Sequence, residues 1–270
     1  MTRCATVLVS WLVWLAAGEA GAEPLPPDRA RAVLREALAA FDQATAVAPQ
    51  EPDAAAERYR QAAAGFEALR DAGYDNTALE YNLGNTYFRL GELGRAILHY
   101  RRAERLGLPD AQRSANLRYA RERVEPRIEP SGGARLSRSL LFWHYDTTPR
   151  QRFRALVVFV LGGWPLLLAW LRWRRPALLG AGLTAAALAL ACGVSLRWQL
   201  YDEAERPPAV VVARDVPLRL GRGEGSDLAL KQPLGPGVEV RILETRGDWV
   251  QVRLPNDQIG WLPASAVEPV

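Results

Sequence analysis

Apolar positions in the first half of the chain return at three- and four-residue steps, the period of a helix with one buried face. On that pattern five helices are predicted, over residues 28–47, 52–72, 77–90, 93–106 and 109–124, with Gly73, Gly91 and Gly107 as closing glycines. Further on the polar face disappears. Residues 153–171 form an apolar run of 19 with one charge, Arg154, and residues 177–196 a run of 20 with none. At about 1.5 Å per residue each reaches about 30 Å, the thickness of a bilayer's hydrocarbon core. Only residues 172–176 separate them, so the pair is expected to form a helical hairpin with both outer ends on one side. From Ala209 the period becomes two. Val238, Val240 and Ile242 alternate with polar residues, as do Val250, Val252 and Leu254, and Arg246-Gly-Asp248 and Pro255-Asn-Asp257 read as turns. That predicts a small antiparallel barrel or sheet. Residues 126–138, rich in Pro, Gly, Ser and Arg, read as an exposed connector, and Leu140 to Trp143 as a segment at headgroup level. Thr148-Pro149 reads as the cap and first turn of the first span.

Within the helical half the landmarks repeat. Ala62, Phe66 and Leu69 are followed 34 positions later by Ala96, Tyr100 and Ala103, and Asn82-Leu83 returns as Asn116-Leu117. A step of this length is one helix-turn-helix unit, which buries its apolar face by stacking on its neighbours and leaves a concave surface for another chain. The break at 48–53 interrupts the first unit and the last keeps one helix, so about two and a half units are present.

Charge then narrows the picture. The net charge is +4, and residues 131–206 carry 10 Arg against 4 acids, while residues 23–130 hold 16 basic residues against 17 acids and residues 207–270 hold 7 against 8. The surplus therefore flanks the apolar spans, which points to lipid headgroups and away from nucleic acid. Residues 1–22 have the layout of a secretory signal peptide: Arg3, an apolar run, then Ala20-Gly21-Ala22. Export places both soluble parts outside the cytoplasm, and the three arginines of the hairpin turn agree with the positive-inside rule, whereas Arg150, Arg152 and Arg154 do not. Gly182, Ala186 and Ala189 or Gly193 space small residues for close helix contact, and Gly162-Gly163 with Pro165 are expected to bend the first span. Trp143, Trp173 and Trp198 fall at the expected interfaces. The two cysteines, Cys4 and Cys192, lie in the leader and in an apolar helix, which excludes a structural disulfide or a cysteine-ligated zinc site.

In the best repeat, residues 77–110, Leu83, Gly84, Tyr87, Ala96, Tyr100 and Ala103 resemble the signature positions of tetratricopeptide repeats, with the family's proline one place late at Pro109. The resemblance implies a solenoid over residues 23–130 whose groove presents Tyr81, Asn85, Phe88 and Arg89, with Gln112, Tyr119 and Arg123 from the last helix. Asn85, Arg89 and Arg123 suit an acidic or carboxylate-ended peptide; the competing reading makes Tyr81 and Phe88 core and the arginines a solvated face. Residues 207–270, with Trp249 after the hairpin turn and Gly260-Trp261 at the last, resemble bacterial SH3-like domains. That implies a ligand face at Arg222, Glu224, Trp249 and Trp261, for peptide or for cell-wall peptidoglycan, with barrel packing the alternative for both tryptophans.

The whole order, a repeat solenoid, then a linker and interfacial segment at 131–152, a two-span hairpin and a small all-β barrel, resembles the BatE-type proteins of the bacterial aerotolerance operon. The resemblance implies a scaffold in the inner membrane, both soluble domains periplasmic or exterior, beside von Willebrand A-domain proteins and a MoxR-type ATPase. No nucleophile with a base, paired acid or metal-ligand spacing points to catalysis or to a cofactor. His99 and His144 sit in different modules. The expectation is a binding protein, with a cell-wall sensor as the second reading.

Overall fold

The computed structural model describes residues 25–107, 110–145 and 147–270, so the leader, Cys4 and Pro109 lie outside the described residues. The chain forms two compact units that divide after Gly91.

The first holds α1 (Pro27–Val47), α2 (Pro52–Asp71) and α3 (Thr77–Arg89). Proline at the first helical position opens α1 and α2, where its missing N–H costs nothing. The Asn76 side chain caps α3 by accepting from the N–H groups of Ala78 and Leu79 at 3.0 Å. Gly73 and Gly91, at φ +85° and +74°, turn the chain beyond α2 and α3 through a conformation that L side chains avoid. Small residues let α1 and α2 touch: a Cβ on Gly65 would stand 2.8 Å from that of Ala37. At their joined end Tyr59 packs edge-on against Phe41 and shares a 3.0 Å hydrogen bond with Thr45. Leu83, Gly84 and Tyr87 of the repeat signature are buried on α3, and the Tyr87 hydroxyl donates to Glu67.

The second unit begins with α4 (Leu93–Leu106) and α5 (Ala111–Arg121), packed on each other. Ala96, Tyr100 and Ala103, the remaining signature positions, are buried here. Gly107 is no left-handed terminator, since its backbone is extended (φ −103°, ψ 172°). The connector is also less irregular than its composition implies, for it contains α6 (Gly132–Leu140) and the single turn α7 (Phe142–Tyr145).

The hairpin helices α8 (Pro149–Trp173) and α9 (Pro176–Glu205) are each long and apolar enough to cross a membrane, and both extend past the apolar runs. Thr148 and Gln151 form a reciprocal capping box at the start of α8, and Arg174 at φ +55° closes its end. Pro165 lies inside an unbroken α8. Gly163 faces Ala185 and Gly182 faces Leu167, so the close contacts run through glycine on both helices.

Two residues separate α9 from the barrel: β1 (Pro208–Val211), β2 (Glu239–Arg246), β3 (Trp249–Arg253), β4 (Ile259–Pro263), a 3₁₀ turn at Ala264–Ala266, and β5 (Val267–Pro269). The antiparallel sheet has the order β4-β3-β2-β1-β5. Val211, Leu218, Leu234, Val252 and Leu262 are its fully buried centre. Gly247 leads a two-residue turn between β2 and β3 at φ +57°, and Asp257 turns the chain into β4 at φ +66°. Helix α4 lies on β1 so closely that a Cβ on Gly94 would meet the Val211 carbonyl oxygen and the Val212 Cα at 2.8 Å.

Candidate functional site

The barrel's outer face follows from its register. Trp249 pairs with Pro263, Gln251 with Trp261 and Arg253 with Ile259, so these six share one face of β3 and β4, while Val250, Val252 and Leu262 fill the core. Trp249 is half-buried and Trp261 only 8% exposed, so the packing reading holds for most of the Trp261 ring. Its free side is covered by Arg222, whose guanidinium lies 5.6 Å from the ring centroid. Backbone hydrogen bonds in both directions tie Trp261 to Arg219, and the Arg219 side chain donates to the Ser226 carbonyl at 2.8 Å, which fixes the base of the loop bearing Arg222 and Glu224. Arg222 and Glu224 stand exposed on that loop. Beside them Leu220, Leu228 and Ile259 are 64%, 52% and 41% exposed. These three apolar contacts escaped the sequence reading; the available signal was a leucine on each side of a polar glycine-rich loop. The face offers apolar contact, one stacked cation and one carboxylate, a surface for binding an extended ligand.

The seven positions read from the repeats fall into two groups, one on α3 and one on α5 and the turn that follows it. Tyr81, Asn85 and Phe88 are half-buried on α3 and Arg89 is exposed. Gln112 and Tyr119 are exposed on α5, and Arg123 is exposed in the turn just beyond its end. Arg123 stacks on Tyr119, 3.5 Å from the ring centroid, and donates to the Tyr119 carbonyl at 3.2 Å. A ligand of this face therefore meets a preformed Tyr–Arg pair.

Two charged clusters have no counterpart in the sequence reading. In the first, Glu239 at the start of β2 accepts from Arg121 of α5 at 2.5 and 3.0 Å and lies 3.1 Å from Arg101 of α4. Burial alone would raise the Glu239 pKa; the Arg121 hydrogen bond and the charges of Arg101, Arg121 and Arg241 outweigh it and hold the carboxyl below its ordinary range. Burial likewise works against the Arg121 cation, and Glu239 more than offsets it. Arg102 adds a 2.8 Å bond to the Pro269 carbonyl. The helix pair is thus clamped to the barrel. Two residues along β2, Arg241 reaches Asp202 of α9 at 3.5 Å and the Arg206 carbonyl at 3.1 Å.

The second cluster closes the open end of the hairpin. Arg152, only 3% exposed on the first turn of α8, donates to Ser195 and Gln199 of α9 and stands 2.9 Å from the His144 Nδ1. His144 Nδ1 is also 2.6 Å from the Ser195 hydroxyl, and Gln199 passes the contact on to Glu203 at 2.6 Å. Burial lowers the His144 pKa, and the Arg152 charge lowers it further. The contacts of His144 with Ser195 and Arg152 form a latch that joins α7 to the hairpin. His99 is buried on α4. Among the described residues no group of three or more His, Cys, Asp or Glu could hold a metal ion.

Residues 235–267 match the family model of the bacterial dipeptidyl-peptidase SH3 domain. The C-terminal module is therefore a bacterial SH3-like domain, a class of binding module, and the matched stretch includes Trp249, Ile259 and Trp261. No curated protein matches the chain.

Proposed function

We propose that this chain is a membrane-anchored, non-enzymatic scaffold that holds partner proteins outside the cytoplasm through its SH3-like barrel and its helical faces. The observation that carries the reading is the continuity of α9, which runs unbroken from the apolar span to within two residues of β1 and so tethers a binding module at one end of the hairpin. Of the three arginines that count against the exterior orientation, Arg152 is buried among α9 side chains and is not a loop cation, which leaves the exposed Arg150 and Arg154 against the three in the hairpin turn. The α3 and α5 faces, read as tetratricopeptide surfaces, are suited to acidic or carboxylate-ended segments. The resemblance to BatE-type proteins makes von Willebrand A-domain membrane proteins and a MoxR-type ATPase system the partners to test, in a bacterial inner membrane.

The match to a bacterial SH3-like family, with Leu220, Leu228 and Ile259 exposed beside Trp261, favours a second reading, a peptidoglycan sensor. One experiment separates the two. The full chain in detergent is mixed with purified cell-wall sacculi and sedimented, and in parallel crosslinked in cells and its partners identified by mass spectrometry. Under the scaffold reading the crosslinked set is made of membrane proteins, shrinks when Arg89 and Arg123 are both changed to Glu, and sacculi retain no protein. Retention on sacculi that Ile259→Asp abolishes favours the sensor. An unchanged crosslinked set in the double Glu variant removes the helical faces from the function.

A further inference from the structure

The geometry points to a site for one anionic glycerophospholipid on the hairpin, an inference that rests on the membrane-anchored reading above. A groove of about 830 Å³ runs along one side of α8 and α9. Gly163, Ala186 and Gly193 keep its floor low, and Trp164 and Leu190 stand beside it as walls, 62% and 69% exposed. Among its lining residues one carries a charge, Arg197, next to Trp198 at the outer end.

Depth identifies the occupant. From Ala186, near the middle of the apolar run, to Arg197 is eleven residues, about 16 Å of helix. One leaflet of the hydrocarbon core is about 15 Å, half of the full thickness. The stretch from Ala186 to Arg197 thus matches one leaflet, the reach of an acyl chain, while Leu167 and Tyr201 carry the lining further at its two ends. Trp198, 68% exposed, marks the interface, where indole is favoured, and places Arg197 at headgroup depth.

Charge selects the headgroup. Arg197 is exposed and has no carboxylate partner among the described residues. The nearest acids on its helix are engaged elsewhere: Asp202 with Arg206 and Arg241, Glu203 with Gln199. Arg150 and Arg154 stand exposed on the first turns of α8 and add positive charge at the open end of the hairpin. A phosphodiester there receives the Arg197 guanidinium with no choline or ethanolamine to offset its charge, while its chain covers the floor.

The test uses the full chain in neutral detergent. Phosphatidylglycerol and phosphatidylcholine are added at equal concentration, retained lipid is counted by native mass spectrometry, and membranes carrying the chain are separately washed with alkaline carbonate. The expected result is one retained lipid per chain with about tenfold preference for phosphatidylglycerol, the factor a charged hydrogen bond supplies. Arg197→Gln is expected to erase the preference and keep some lipid. Gly193→Leu is expected to lose both lipids, and the helix accepts it, because a Cβ at Gly193 meets nothing within 4 Å. Equal retention of the two lipids, or a preference that survives both variants, overturns the site, as does a crosslink through residue 193 to a second protein. A chain that carbonate strips from the membrane overturns the anchored reading as well; one that stays without lipid preference overturns the site alone.

Discussion

Val210, Leu218, Leu234, Val252 and Leu262 of the barrel are wholly buried, whereas Val158, Leu161, Trp164, Leu190 and Val194 of the hairpin, residues of similar size and chemistry, are 58–69% exposed. Both regions are strongly apolar and both are regular, yet one has an inside and the other does not. A two-helix hairpin can bury one stripe of each helix, and the rest of its apolar surface faces outward. In the membrane-anchored reading proposed above, hydrocarbon as the surrounding solvent removes the cost of that exposure and leaves small-residue contacts, Gly163 with Ala185 and Gly182 with Leu167, to hold the helices together. The same residue types thus hold the barrel by burial and the hairpin by contact.

The largest test of that contrast truncates one leucine in each region. Leu262→Ala is expected to cost about 2–5 kcal/mol, since it opens a cavity in a closed core. Leu190→Ala, on an exposed apolar surface, is expected to stay within about 0.5 kcal/mol. Hydrogen exchange of the β3 and β4 amides and of the α9 amides reads the two losses separately. Equal losses would show that Leu190 is buried by something and that the hairpin has an inside after all.

Glycine sharpens the comparison at smaller scale. At Gly94 an added methyl meets backbone of β1, which cannot move without the sheet, so Gly94→Ala is expected to cost about 1–2 kcal/mol even after the roughly 1 kcal/mol gained in helix propensity. At Gly182 the nearest atoms, 2.5 and 2.8 Å away, belong to the end of the Leu167 side chain, which can change rotamer. Gly182→Ala is therefore expected to be close to neutral. Thermal unfolding of the full chain in detergent orders the two, and a larger loss at Gly182 would mean that the hairpin contact is the stiffer one.

Legibility in the sequence followed the range of the interactions. The barrel strands at Val238–Ile242 and Val250–Leu254 and the two apolar spans were readable because period and composition are local. The start of α8 was readable as well, from Thr148-Pro149, but the end of α9 was not, because a hydropathy run stops at the first polar residues while the helix continues beyond Asp202. Gly107 resembles a closing glycine in its spacing, yet its backbone is extended and needs no glycine. The connector hid α6 because Gly132 and Gly133 open the helix and do not interrupt it. At the candidate site, Trp249 and Trp261 could be found by resemblance, but the clamp on Glu239 joins residues more than a hundred positions apart, and the partners of Arg152 come from the other helix of the hairpin. No local pattern carries either.

The two charged clusters carry the comparison into pH, with the smallest expected effects. Glu239 is held below the ordinary carboxylate range, so the clamp's contribution is complete above the unfolded value of about 4.3 and is lost as pH falls through the lower folded one. Glu239→Gln is expected to cost about 1 kcal/mol at pH 7, the scale of a charged hydrogen bond discounted for partial exposure, and to cost nothing once the wild-type carboxyl is protonated. His144 works in a higher window. Its folded pKa is also lowered, so the neutral ring that accepts from Arg152 or Ser195 is intact above about 6.5, and the latch weakens as pH falls through the folded value. Hydrogen exchange from pH 8 to 3 should therefore loosen the amides around α7 first and those of β2 later. His144→Asn, which cannot titrate, should flatten the first step and leave the second. A single step shared by both regions would show that the hairpin latch and the barrel clamp open as one.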